Sequence, residues 1–268
     1  MLGVGTVGAG VFKTLISDRE SLSRKSASNY EISIICVKEL TKNRNIDFGN
    51  TRLTDNPVEI VDNDDIDIVI ELIGGIEPAK TLILAALKNK KHVVTANKAL
   101  IASCGIELFE EAQKSNVFIL FEASVAGAIP IIKLMSESFV ANNINRIEGI
   151  INGTTNFVLS GMEQRDLSLD SAISEAQDRG FAEADPSADI SGSDAANKIC
   201  ILAYLAFGTV IDTNRIYCEG IEDIKLQDII LAKELGYKIK HLAIASKDGH
   251  SINLRVHPAL LPEEHPLA

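Results

Sequence analysis

The 268-residue sequence is short of several things, and each shortage closes off a class of protein. Its four cysteines, Cys36, Cys104, Cys200 and Cys218, form no Cys-x-x-Cys pair, and no histidine stands at zinc-ligand spacing. Neither a disulfide framework nor a zinc site is indicated, and reduced thiols are expected. Positive charge is also scarce: 26 Lys and Arg against 37 Asp and Glu leave a formal net charge of −11. That balance opposes a broad nucleic-acid or anionic-membrane surface, since both polyanions would be repelled. The longest apolar run, 199–211, falls short of the roughly 18 residues that a spanning helix needs and reads as a buried core helix. The apolar opening has no basic residue before it, and Lys13 follows, the reverse of a signal peptide. The expected location is therefore the cytoplasm. There is no internal repeat and no low-complexity linker.

What is present has ordinary globular composition, with 46% hydrophobic and 24% charged residues. At about 150 residues per domain, the length lies between one and two domains. Up to Glu122, β-branched runs (31–37, 66–71, 92–94, 117–120) alternate with amphipathic stretches (7–16, 79–89, 106–115). Strand and helix in repetition predict a parallel sheet covered on both faces. Beyond Glu122 the pattern predicts helices near 129–139, 168–179, 194–206 and 226–235, and strands near 146–151, 238–245 and 251–256. That half reads as a mixed α+β unit. The change falls at 122–127, giving a first domain of 1–122 and a second of 123–268.

Gly3-Val4-Gly5-Thr6-Val7-Gly8 is a Gly-x-Gly-x-x-Gly opening an amphipathic helix. Glycine there lets the backbone approach a pyrophosphate whose charge rests on the N–H groups of the helix start, the mark of a Rossmann-type doubly wound domain. Only Met1 and Leu2 precede the loop, so the strand that should feed it is nearly absent. After the second strand the chain reads Val37-Lys38-Glu39-Leu40-Thr41-Lys42-Asn43-Arg44. Lys38, Lys42 and Arg44 suit a 2′-phosphate and favour NADP, while Glu39 keeps NAD open. Lys98, in Thr95-Ala96-Asn97-Lys98, stands just beyond a strand end, where open α/β sheets bind ligands.

The second half carries a denser set. Glu122-Ala123-Ser124-Val125-Ala126-Gly127 leads into Ile129-Pro130, and Asn152-Gly153-Thr154-Thr155-Asn156 reads as a tight turn bearing two hydroxyls and an amide. Within 180–198, three acids lie in a Pro- and Gly-punctuated loop, and Asp194 and Lys198 sit at i, i+4 on the helix after it. Such a pair is ordinarily an exposed one worth a few tenths of a kcal/mol. Here Lys198 is the last charge before the apolar run, so it is expected to be partly out of water, where a lysine can move a proton at a carbonyl oxygen. The acidic loop lacks the spacing of a calcium loop. The five histidines show no partner pattern, and Cys200, inside the apolar helix, is expected to be inert.

Taken together, the glycine loop, Thr95–Lys98, 122–127, 152–157 and 180–198 resemble homoserine dehydrogenase over essentially the whole length. The resemblance implies NAD(P)-dependent interconversion of L-homoserine and L-aspartate 4-semialdehyde, on the route from aspartate to threonine, methionine and isoleucine, by a homodimer or higher homo-oligomer formed through the second domain. It implies Lys198 as proton donor to the aldehyde oxygen, with Lys98 and Asp194 in the catalytic set. Glu183, Asp189 and Thr154 would bind the substrate. Gly3, Gly5, Thr6, Val7, Gly8, Lys38 and Lys98 would bind the cofactor, and Glu122, Val125, Gly127 and Ile129 a sodium ion. Two departures stand out: the first strand is reduced to two residues, and the chain stops where the family continues with a segment that packs beside the cofactor domain. A nucleotide-binding subunit without turnover and a dehydrogenase of another carbonyl are the competing readings. The intact set Glu183, Asp189, Asp194 and Lys198 favours the enzyme.

Overall fold

In the computed structural model, which describes residues 1–268, the β-branched runs of the first half become parallel strands. Two units are distinct, Met1–Ile129 and Pro130–Ala268. The first runs α1 (Thr6–Ser17), α2 (Arg19–Ser26), β1 (Ile34–Cys36), β2 (Arg52–Thr54), α3 (Val58–Val61), β3 (Ile68–Glu71), α4 (Ala79–Lys88), β4 (His92–Thr95), α5 (Lys98–Ser115) and β5 (Ile119–Leu120). β1 pairs with β2, and β3 with β4 and then β5, all parallel.

Leu2 joins the two sets. It bridges to Cys36 on one side and to Glu71 on the other. Its N–H reaches Ile70 O at 2.7 Å and its carbonyl accepts from Leu72 N at 2.8 Å, while Met1 O accepts from Cys36 N at 2.8 Å. The strand that the sequence seemed almost to lack is thus in place, two residues long, and the order becomes 3-2-1-4-5-6, that of a dinucleotide-binding sheet. Phe12 of α1 packs with Ile35, Val37, Ile70 and Leu72. Leu82, Ile83, Ala86 and Leu87 of α4 and Leu100, Ile101, Leu108 and Ala112 of α5 are buried, each set at the spacing of one helical stripe.

The doubly wound reading holds, with part of one face over β3, β4 and β5 left open. Ile68, Val94 and Leu120 are exposed. After β5 the chain passes to the second unit instead of supplying another crossover helix. The units meet at Ile129–Pro130, a few residues past the predicted change, because the segment between is irregular: a 3₁₀ turn, Glu122–Ser124, then positive φ at Ala126 and Ala128.

The second unit runs α6 (Ile131–Lys133) into a π turn (Leu134–Ser138), β6 (Arg146–Gly149), α7 (Gly153–Arg165), α8 (Leu169–Asp178), α9 (Ser187–Ile190), α10 (Ser193–Phe207), β7 (Tyr217–Cys218), α11 (Leu226–Glu234), β8 (Tyr237–Asp248) and β9 (Ser251–Pro262). Its sheet has the order β6-β8-β9-β7, antiparallel except where β7 joins β9. Val158, Leu159 and Met162 of α7 meet Ala172 and Ala176 of α8, Ile229 of α11 and Ile239 of β8 in the core. α10 is buried nearly all round, as its run of apolar residues predicts, and ends at Gly208 in the left-handed conformation. Within it, the Cys200 thiol is pushed up to about 11 by burial, consistent with an inert side chain.

Candidate active site

In the first unit the glycine loop has the shape that phosphate binding needs. Gly3 has φ +94°, and a Cβ there would stand 2.8 Å from Leu72 O; one on Gly8 would stand 2.6 Å from Gly3 O. These two glycines let strand, loop and helix close on each other. Gly5 faces open space instead, with nothing within 4 Å of a Cβ position, and it caps α1 without a side-chain hydrogen bond and without an acid in the first turn. Thr6 and Val7 beside it are exposed. The helix start therefore presents bare N–H groups to an anion. In the loop after β1, Lys38 and Lys42 are exposed. Arg44 is turned inward on its own loop, its guanidinium donating to Lys42 O at 2.8 Å and Glu39 O at 2.7 Å.

Lys98 is the first residue of α5, half-buried, with Asn97 as the cap whose Oδ1 accepts from Leu100 N. Behind it lies a residue to which the sequence reading assigned no role. Glu71, wholly buried at 0% exposure, accepts from Ile73 N at 2.9 Å and Gly74 N at 3.0 Å through one oxygen and from the Thr95 hydroxyl at 2.5 Å through the other. Thr95 Oγ1 in turn accepts from Asn97 N at 3.0 Å, and Asn97 Nδ2 donates to Gly75 O at 2.7 Å.

In the second unit the structure brings together Asn152, Thr154, Asp189, Asp194 and Lys198. Lys198 Nζ lies 2.6 Å from Asp194 Oδ2 and donates to Ile151 O at 3.0 Å. The aspartate is 3% exposed and the lysine 17%, so this i, i+4 pair is no solvated surface pair. Asn152 is the hub: its Nδ2 donates to Asp189 Oδ1 at 2.6 Å and to Asp194 Oδ2 at 2.8 Å, while its Oδ1 accepts from Thr155 N at 2.8 Å. Thr154 Oγ1 donates to Phe181 O at 2.8 Å or Asp189 Oδ2 at 3.1 Å. Two carboxylates against one ammonium leave the cluster with an excess of negative charge. Glu183 stays outside it; its side chain is exposed, and only its carbonyl is bonded, by Gln177 Nε2 at 3.2 Å.

The predicted tight turn at 152–157 is corrected: Asn152 is the N-cap of α7, whose first turn holds Gly153, Thr154 and Thr155. Those residues are poor helix formers, but burial of Val158, Leu159 and Met162 a turn later fixes the helix. The start of α10 is equally constrained. Gly192 has φ +82°, and a Cβ on it would stand 3.1 Å from both Cys218 Sγ and His241 Cε1. His241, buried, has Nε2 3.0 Å from Glu219 O and Nδ1 without a partner.

These features agree with what the chain is similar to. The family model described as homoserine dehydrogenase, NAD binding domain, matches residues 3–122, and that described as homoserine dehydrogenase matches 130–268, over half of the chain. Homoserine dehydrogenase of Neisseria gonorrhoeae is 46% identical over the whole chain, which spans 61% of that relative's length. The crystal structure of a homoserine dehydrogenase from Thiobacillus denitrificans superposes with a TM-score of 0.93 at 47% identity, over 99% of this chain and 61% of that one. A hyperthermophilic archaeal homoserine dehydrogenase in complex with NADPH gives a TM-score of 0.80 at 28% identity, over 99% of this chain and 82% of that one. With a dinucleotide-type glycine loop in one unit and a buried lysine–carboxylate cluster in the other, the chain belongs to the homoserine dehydrogenase family.

Proposed function

We propose that this chain interconverts L-homoserine and L-aspartate 4-semialdehyde with a nicotinamide cofactor. The observation that carries the reading is the Lys198–Asp194–Asn152–Asp189 cluster. The bound cofactor supplies the hydride acceptor or donor. Gly3, Gly5, Thr6, Val7 and Gly8 would hold its pyrophosphate against the start of α1, and Lys38 and Lys98 would be further cofactor-binding groups. In the reducing direction the Lys198 ammonium, held by Asp194 and Ile151 O, gives its proton to the aldehyde oxygen as that oxygen takes up charge. Asp189, fixed by Asn152 and Thr154, and Glu183, whose carboxylate has no partner in the chain, face the substrate ammonium. Orientation by these groups supplies much of the rate.

NADP is the preferred cofactor in this reading, since Lys38 and Lys42 are free of carboxylate partners and the archaeal neighbour is described with NADPH. Sodium fits 122–129 by its donors. Ala126 and Ala128 have positive φ, 49° and 70°, so the backbone is irregular here, and the carbonyls of Val125 and Gly127 accept no backbone hydrogen bond. With Glu122 and Ile129 they offer the hard oxygen ligands such an ion takes. A cytoplasmic homodimer on the route to threonine, methionine and isoleucine completes the reading. Among the described residues no helix is long and apolar enough to cross a membrane.

The test is homoserine-dependent reduction of NADP⁺, with NAD⁺ alongside, by the chain and by Lys198→Ala. Turnover that falls about 10²- to 10⁴-fold in the variant, the usual weight of a proton-transfer group, supports the proposal. Folded parent protein that reduces neither cofactor overturns it.

A further inference from the structure

Glu71 has no place in that reading, yet it is the most completely buried carboxylate of the first unit and has no cation beside it. Burying a carboxylate without a counter-charge is costly unless several donors meet it. Its three donors lie at the carboxyl edge of the sheet, two in the turn after β3 and one on the last residue of β4. Ile73 and Gly74 belong to the turn after β3, where Gly74 and Gly75 both have φ +74°. Thr95 ends β4, and its oxygen passes the contact on to Asn97, which caps α5 and ties back to Gly75 O. One carboxylate thus fixes both loops and their spacing. Their location says what they serve. Leu2 is the point where strand order reverses, and the loop after β1, with Lys38, belongs to the adenosine side. The loops after β3 and β4 therefore lie on the nicotinamide side.

Resting on the cofactor reading above, we infer that Glu71 is a positioning residue for the nicotinamide half of the dinucleotide. It holds 73–75 and, through Thr95 and Asn97, the start of the helix bearing Lys98 in the arrangement that the ring and its ribose meet. Glu71→Gln tests this with little change of volume: the amide oxygen still accepts from Ile73 and Gly74, but its NH₂ now confronts the Thr95 hydroxyl, which has lost its acceptor. Thr95→Val removes the same bond from the other side, and Thr95→Ser keeps it.

The experiment is fluorescence titration of parent and variants with NADPH and NADH, and, by competition, with ADP and its 2′-phosphate, which lack both the nicotinamide ring and its ribose. Glu71→Gln and Thr95→Val are expected to bind the intact cofactor about tenfold more weakly, the worth of one hydrogen bond to a charged group. They should bind the ring-less analogues as the parent does, with Thr95→Ser at parent affinity. Equal loss for cofactor and analogue, or no loss for either, overturns the inference while leaving the proposed function standing. A folded parent that binds none of the four overturns both.

Discussion

Each unit buries a carboxylate near the place its ligand would occupy, and the two are neutralised in opposite ways. Glu71 is surrounded by neutral donors, two backbone N–H groups and a hydroxyl. Asp194 shares the Asn152 amide but leans on a cation, Lys198, at 2.6 Å. A carboxylate held by dipoles suits a fixed wall, because nothing around it needs to change charge. One held by an ammonium suits a place where a proton moves, because its partner can give the proton up and be recharged. The comparison also separates two costs of substitution, since a dipole removed leaves a bond unmade, while a cation removed leaves a buried charge alone.

The largest effect should come from removing that cation. Lys198→Met is expected to lower stability by about 3 kcal/mol, the low end for a broken buried pair because the lysine keeps some exposure; urea unfolding would show it. Equal stability of parent and variant would erase the distinction between the two carboxylates. Asn152→Ala removes the cap of α7 and a donor from each of Asp189 and Asp194, and should cost about 2 kcal/mol. Loss of homoserine affinity out of proportion to loss of cofactor affinity would confirm that its role is confined to the second unit.

Next come two glycines of one motif. Gly8→Ala forces a Cβ toward Gly3 O and should lower thermal stability, whereas Gly5→Ala meets open space and should weaken cofactor binding with the melting temperature within a few degrees of the parent. Similar losses of stability in both would mean that the loop is a packing device alone.

The smallest effect is a pH dependence beneath α10. Burial lowers the His241 pKa from its ordinary 6.5, against the opposing influence of Glu219 and Glu222 and with His257 adding to the lowering; the Cys218 thiol lies nearby and is itself pushed up by burial. The unfolded chain thus takes up this proton more readily than the folded one. The contribution of His241 is whole above pH 6.5 and declines as pH falls through the lowered value. Urea midpoints from pH 7.5 to 5.5 should drop less in His241→Gln than in the parent, and parallel curves would contradict the assignment.

What could be read in advance follows how local each signal is. Gly3, Gly5 and Gly8 lie within one turn, so their pattern carries its own geometry. Lys198 and Asp194 were legible because four residues make one helical turn, and the apolar run after them announced the burial. Asn152 was seen as a polar turn residue and not as a hub, for its partners Asp189 and Asp194 are 37 and 42 positions away. No periodicity spans that distance. Glu71 looked like a strand end. Its meaning depends on Thr95, 24 positions on, arriving beside it through a parallel pairing that only the crossover of α4 creates. Glu183 and Asp189 look alike in one acidic stretch, yet α9 carries Asp189 to Asn152 and Thr154, while Glu183, four residues before that helix, stays in water.

The seam at Leu2 has a mechanical consequence. A rung of two residues ties β1 to β3: Cys36 N donates to Met1 O on one side and Leu72 N to Leu2 O on the other, so the sheet is held along its middle by a handful of backbone bonds. The exchange rates of those two amides read directly how firmly the two halves of the sheet are joined. The glycine loop starts one residue further on. The readiness of its phosphate cradle is therefore set by how tightly two residues stay clasped between their neighbours.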